Sequence, residues 1–247
     1  MPKDRSIDTV TFDLWNTLIA HDRFYDDNIR RCRTECILGA LSSKGLSFTN
    51  DDFERAYMLS ERHLTDRWST DMDMDVDEQL CMFLRCLGVE PSSDLVETID
   101  EPYTDAVLKV MPFLVSGAGE AIREMKDRKF KVALISNTGR TPGKAMRKVM
   151  KEFGILDLFD TVTFSNESGY LKPHPKIFEE TLSRLGSRPE NAVHIGDHAV
   201  LDILGAKNAG MRSVLVTEYA QQDRCCVPDA RIGMISELPA AIDSLEK

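Results

Sequence analysis

No apolar run in this chain is long enough to span a bilayer, and the polar segment Met1–Asp8 lacks the apolar core of a secretory signal. Positive charge is also in deficit. Against 41 Asp and Glu stand 31 Lys and Arg, a formal charge of -10 that argues against nonspecific binding to nucleic acid or an anionic membrane. An anionic ligand then needs a local positive site. The six cysteines show no disulfide framework in a chain of this kind, so they read as reduced thiols and the expected location is cytoplasmic. Cys32 with Cys36 and Cys81 with Cys86 lie on two expected helices. Neither pair has the tight spacing of a structural zinc site, which favours core thiols, and adjacent Cys225 and Cys226 carry no metal signature. No internal repeat or low-complexity segment interrupts the 247 residues, of which 42% are hydrophobic, enough for a large buried core.

What is present is an alternation. Strand-like runs occur at Val10–Phe12, Lys131–Ser136, Thr161–Phe164, Ala192–Gly196 and Arg212–Val216, with a weaker one at Arg231–Ile235 before a helix from Glu237. Helical patterns separate them, with Thr141-Pro142 as the cap of one. The pattern predicts a doubly wound, Rossmann-like parallel α/β sheet with helices on both faces. Between residues 21 and 106 strand signals vanish and four amphipathic helices are expected near Arg23–Lys44, Asn50–Trp68, Val76–Leu87 and Ser93–Lys109, the last kinked or split by Pro102. The expected organisation is an α/β core of residues 1–20 and 107–247 with an all-helical insertion, 21–106.

Within the insertion, the acidic run Asp71–Glu78 lacks the glycine and the twelfth-position glutamate of a calcium loop, where Val76 and Met82 stand. It reads as a solvated loop whose acids favour the start of the third helix. Arg30, Arg31 and Arg33 form a basic patch with two readings, a solvated face or a holder of a substrate anion.

Four segments carry chemistry. Thr11-Phe12-Asp13-Leu14-Trp15 puts a carboxylate at a strand's carboxyl end, where open α/β sheets bind ligands. Val132–Asn137 ends a strand in a hydroxyl, Ser136, and an amide, Asn137, of the kind that donate to phosphoryl oxygens. Gly169–Pro175 holds a lone Lys172 between proline-restricted residues, where an ammonium can neutralise a nucleophilic carboxylate and an incoming phosphate. Val193–Asp202 places Asp197 and Asp202 at a strand end and helix start, and with Asp13 they offer hard oxygen ligands to magnesium.

In this order the four segments resemble the four motifs of the haloacid dehalogenase superfamily, and the insertion resembles the helical cap that many members carry between the first and second motifs. The resemblance implies Asp13 as nucleophile, Lys172 as charge-balancing lysine, and Ser136, Asn137, Leu14 and Trp15 as substrate-binding positions. It also implies Mg2+ held by Asp13, Asp197, Asp202 and the main-chain carbonyl of Trp15. The implied activity is hydrolysis of a small phosphorylated metabolite through an aspartyl phosphate; no nucleic-acid or membrane partner is expected, and the oligomeric state is open.

One residue departs from the pattern. Family phosphatases usually carry an aspartate, acting as acid and then base, where this chain has Trp15, and indole can do neither. The expectation is therefore a preference for good leaving groups, unless His21, His198 or a cap residue supplies the proton. His194 reads as a core or supporting residue. Two alternatives follow: a 2-haloacid dehalogenase, whose halide leaves without a proton, or a phosphate-binding regulatory protein with weak turnover. Gly196-Asp197 disfavours the first. A phosphonoacetaldehyde hydrolase needs a cap lysine as a Schiff base, and the insertion has only Lys44.

Overall fold

The computed structural model describes residues 6–220 and 226–246. Its centre is a six-stranded, fully parallel sheet of β1 (Thr9–Phe12), β4 (Lys131–Ser136), β5 (Thr161–Phe164), β6 (Ala192–Gly196), β7 (Arg212–Val216) and β8 (Ala230–Ile232), in the order β5-β4-β1-β6-β7-β8. Two short strands, β2 (Ile19–Ala20) and β3 (Phe113–Leu114), pair antiparallel beside it. Alternation in β1 sends Val10 and Phe12 into one core with Leu134, Met146 and Ile195. The other face is covered by Ile177, Phe178 and Leu182 packing on Ile135. The doubly wound expectation is met, except that the last strand starts at Ala230 and ends before Gly233.

Helices α1 (Tyr25–Ser43), α2 (Asn50–Trp68), α3 (Val76–Cys86), α4 (Ser93–Thr104) and α5 (Ala106–Lys109) lie between β2 and β3. They have their own core of Ile37, Leu41, Phe53, Phe83, Leu84 and Tyr103. Pro102 has no N–H to give the carbonyl four residues back, and the expected fourth helix divides at Asp105. Asp75 caps α3 by accepting from the Glu78 N–H, which bears out the reading of the acids near that helix.

The rest of the acidic run behaves differently. Asp73 is 3% exposed, not solvated: it accepts from the Trp68 indole (2.9 Å), the Met74 N–H (2.8 Å) and, on the sheet side, the hydroxyls of Ser165 (2.5 Å) and Thr138 (3.3 Å). The main chain there pairs with the segment before Lys172, through Asp73 N–H to Gly169 O (3.1 Å) and Leu171 N–H to Asp71 O (2.9 Å). Thr141 does not cap the helix Gly143–Glu152 as expected. The Asn166 side chain accepts the Gly143 N–H instead, while Thr141 accepts from Arg33. Among the described residues no helix is long and apolar enough to cross a membrane.

Candidate active site

Register brings the four motifs together. Phe12 lies opposite Leu134 and Ile195, so the carboxyl ends of β1, β4 and β6 open at one place, and the Asp13 N–H continues the ladder to Ile195 O (2.8 Å). Asp13 therefore leaves the sheet just beyond its last paired residue. The Lys172 ammonium donates to Asp13 (2.5 Å) and to Asp202 (2.6 Å), and all three side chains are buried. Carboxylate oxygens of Asp13, Asp197 and Asp202 lie within 4.8 Å of one another.

Gly196 permits this. A Cβ there would stand 2.2 Å from Asp202 Cγ, so the backbone of β6 and the Asp202 carboxyl can meet only over a glycine. Asp202 also accepts the His198 N–H (2.9 Å) and faces His194 Nε2 (3.2 Å), while His194 Nδ1 faces the Thr11 hydroxyl (2.8 Å). With Asp202 ionised, Nε2 carries the hydrogen and Nδ1 accepts from Thr11. His194 is thus the supporting residue expected, and burial, helped by Lys172, lowers its pKa and keeps it neutral.

The cluster holds more potential negative charge than positive. Burial pushes the Asp13 carboxyl up to about 6, against the pull of Lys172 and the Leu14 N–H. Burial, with Asp13 and Asp202 nearby, pushes Asp197 up to about 8. Burial also opposes ionisation of Asp202, yet Lys172 and His194 hold it below the usual carboxylate range. Burial would lower the Lys172 pKa, but its two carboxylate partners raise it. Three carboxylates facing one ammonium, with a neutral imidazole behind, are a donor set that fits a divalent cation bound by hard oxygens.

The remaining expected residues differ in what they touch. Leu14 contributes its N–H to Asp13, while its side chain is fully buried. Ser136 is fully buried at the end of β4 and donates to Asn137 O (3.2 Å). The Asn137 amide donates to Lys172 O (3.0 Å) and accepts the Lys172 N–H (2.8 Å), so it also holds the loop of the lysine. The Trp15 ring packs edge-on to His21 and tilted against Tyr25, with centroids 5.9 Å apart in both pairs. The three-residue acid cluster is the one group of potential metal ligands among the described residues; no cysteine belongs to it, and Cys225 lies outside those residues.

Beyond Trp15 opens a cavity of about 510 Å³ between the helical insertion and the sheet, walled by Trp15, His21 and Tyr25 and by Arg33 and Arg140. Arg33 is buried, which removes the solvated-face reading for that residue, whereas Arg31 is exposed and Arg30 pairs with Glu54. Arg140 went unrecognised in the sequence. It reaches from the loop after Ser136 into the insertion, donating to Glu61 (2.9 Å), Ser60 (3.0 Å) and the Tyr103 hydroxyl (3.1 Å), with its guanidinium over the Tyr57 ring. Its place four residues past Ser136 was the available signal.

Comparisons with known proteins agree with this geometry. Over 176 residues the chain is 34% identical to a protein named glyceraldehyde 3-phosphate phosphatase from Methanopyrus kandleri, covering 67% of this chain and 72% of that one. Over 217 residues it is 27% identical to a ribulose-1,5-bisphosphate 5-phosphatase from Halopiger xanaduensis, covering 87% and 86%. Its fold is shared with a 2-haloacid dehalogenase from Pseudomonas syringae pv. Tomato DC3000, with a TM-score of 0.73 at 23% identity over 97% of this chain and 99% of that one. A family model for haloacid dehalogenase-like hydrolases matches residues 7–210, which contain all four motifs, and the chain belongs to that family.

Proposed function

We propose that the protein is a magnesium-dependent phosphatase acting through an aspartyl phosphate on Asp13, with residues 1–20 and 107–247 as its catalytic core and 21–106 as a helical cap over it. The observation that carries this reading is the buried excess of carboxylates: Asp13, Asp197 and Asp202 around a single ammonium, Lys172. A carboxylate that only displaces halide from carbon has no need of two further buried acids. Relatives named as phosphatases support the same choice.

Asp13 attacks phosphorus, the ester oxygen leaves, and water then cleaves the acyl phosphate. Lys172 offsets charge on Asp13 and on the arriving phosphate, while Ser136 and the Leu14 N–H stand at the strand ends where equatorial oxygens need donors. Asp13, Asp197, Asp202 and the Trp15 carbonyl are the residues that would hold Mg2+, which when bound supplies electrostatic stabilisation of the transferring group. Trp15 has no acid to give, so the leaving group departs with little help.

Turnover of p-nitrophenyl phosphate and acetyl phosphate with Mg2+, abolished by EDTA, is the expected result. Absence of metal-dependent turnover on both, with chloride release from 2-chloropropionate, would replace this reading by a dehalogenase.

A further inference from the structure

The cavity beside Trp15 is acidic at its rim and basic at its floor. Asp26, Asp27 and Glu61 are exposed, whereas Arg33 and Arg140 are 2% and 7% exposed. Arg140 has Glu61 as its counter-ion. Arg33 bonds only neutral oxygens: Tyr103 O (2.8 Å), the Tyr57 hydroxyl (3.2 Å) and the Thr141 hydroxyl (3.2 Å). Among the described residues no ion pair joins it to a carboxylate. A guanidinium has five N–H donors, so the three bonds leave donors to spare on a buried charge without a counter-ion.

A second observation points to the same place. Tyr25 lines this cavity, and its hydroxyl is buried and has no hydrogen-bond partner. Such a group costs free energy unless something supplies a partner. An anion beside Arg33 does so, because the phenol, whose pKa burial raises, stays a donor.

We propose that Arg33 and the Tyr25 hydroxyl bind a second anionic group of the substrate. The substrate class is then small phosphate monoesters whose leaving group ends in a carboxylate or a second phosphate, with the reacting phosphate at Asp13 and the distal anion on the cavity floor. The cavity of about 510 Å³, which Trp15 walls two residues past Asp13, has room for the distal part of such a leaving group. The assignment of the reacting end rests on the phosphatase reading; the distal site rests on the cavity alone.

The test compares propyl phosphate, 3-hydroxypropionate phosphate and 1,3-propanediol bisphosphate, which share a chain length and differ in the distal group. Wild-type kcat/KM is expected to be at least about tenfold higher for the charged pair, the scale of one charge-assisted hydrogen-bonded contact. Tyr25→Phe and Arg33→Gln lower that ratio, chiefly through KM. Should Arg33→Gln fail to fold, Tyr25→Phe carries the comparison, since its hydroxyl has no partner to lose. Preference for one charged ester alone supports the site and identifies its anion. Equal kcat/KM for all three overturns it. Calorimetry of the same compounds with Asp13→Asn separates the two readings. Tighter binding of the charged pair, with no wild-type turnover of any phosphate ester, removes the phosphatase and keeps the anion site; equal binding removes the anion site.

Discussion

The Asn137 side chain closes a two-bond ring on the backbone of Lys172, donating to its carbonyl at 3.0 Å and accepting its N–H at 2.8 Å. The residue after β4 thereby fixes the loop that carries the ammonium bonded to Asp13. Asn137→Ala is expected to lower kcat on p-nitrophenyl phosphate by about 10- to 100-fold with a smaller change in KM, because the lysine loses its mount while the pocket remains. A steady-state comparison with wild type at saturating Mg2+ checks this.

Trp15→Asp restores a group able to protonate a leaving oxygen. Rates on alkyl phosphates are expected to rise by about 10²-fold, with much less change on p-nitrophenyl phosphate, whose leaving group needs no acid. A Brønsted plot of rate against leaving-group pKa should flatten in the variant.

The acid cluster makes metal-free stability fall with pH. Asp13 and Asp197 are raised from an ordinary 3.8 to about 6 and about 8, so the folded chain holds protons that the unfolded chain releases. Their contribution is intact below pH 4 and is lost as pH rises to about 8. The depressed Asp202 acts in the opposite sense, but below that window. Urea midpoints in EDTA should therefore decline from pH 5 to pH 9, and decline less in Asp197→Asn. Mg2+ should restore more stability at pH 9, and at pH 7 its binding should release a proton, measured by calorimetry in buffers of different ionisation enthalpy.

Asp73→Ala leaves the Trp68 indole and the Ser165 hydroxyl without the acceptor they share, while Thr138 keeps Asn166 Oδ1 at 3.1 Å. A loss of about 1–3 kcal/mol is expected for one buried hydroxyl and one part-buried indole left without their acceptor. Urea unfolding measures it, and proteolysis should cut the insertion faster.

Much of this was legible beforehand because it depends on local rules. Alternating apolar runs located the strands, Asp13, Ser136 and Asp197 stood at or just past their ends, and Lys172 stood in the loop before a helix. Asn137 was recognised, but its partner was not, since nothing in Ser136-Asn137 says that the amide reaches residue 172. Asp73 is indistinguishable by spacing from Asp71 and Asp75; only tertiary docking chooses which acid is buried. Likewise Arg33 among Arg30 and Arg31 differs only in the helix face that turns inward.

The pairing of Asp71 and Asp73 with Gly169 and Leu171 ties the insertion to the strip of chain that ends in Lys172. Opening the helical half wide enough to admit a bulky molecule is expected to strain these two hydrogen bonds, which precede the lysine by one to three residues. A substitution that loosens this pairing is therefore expected to disturb the seating of the insertion and the hold on the ammonium together.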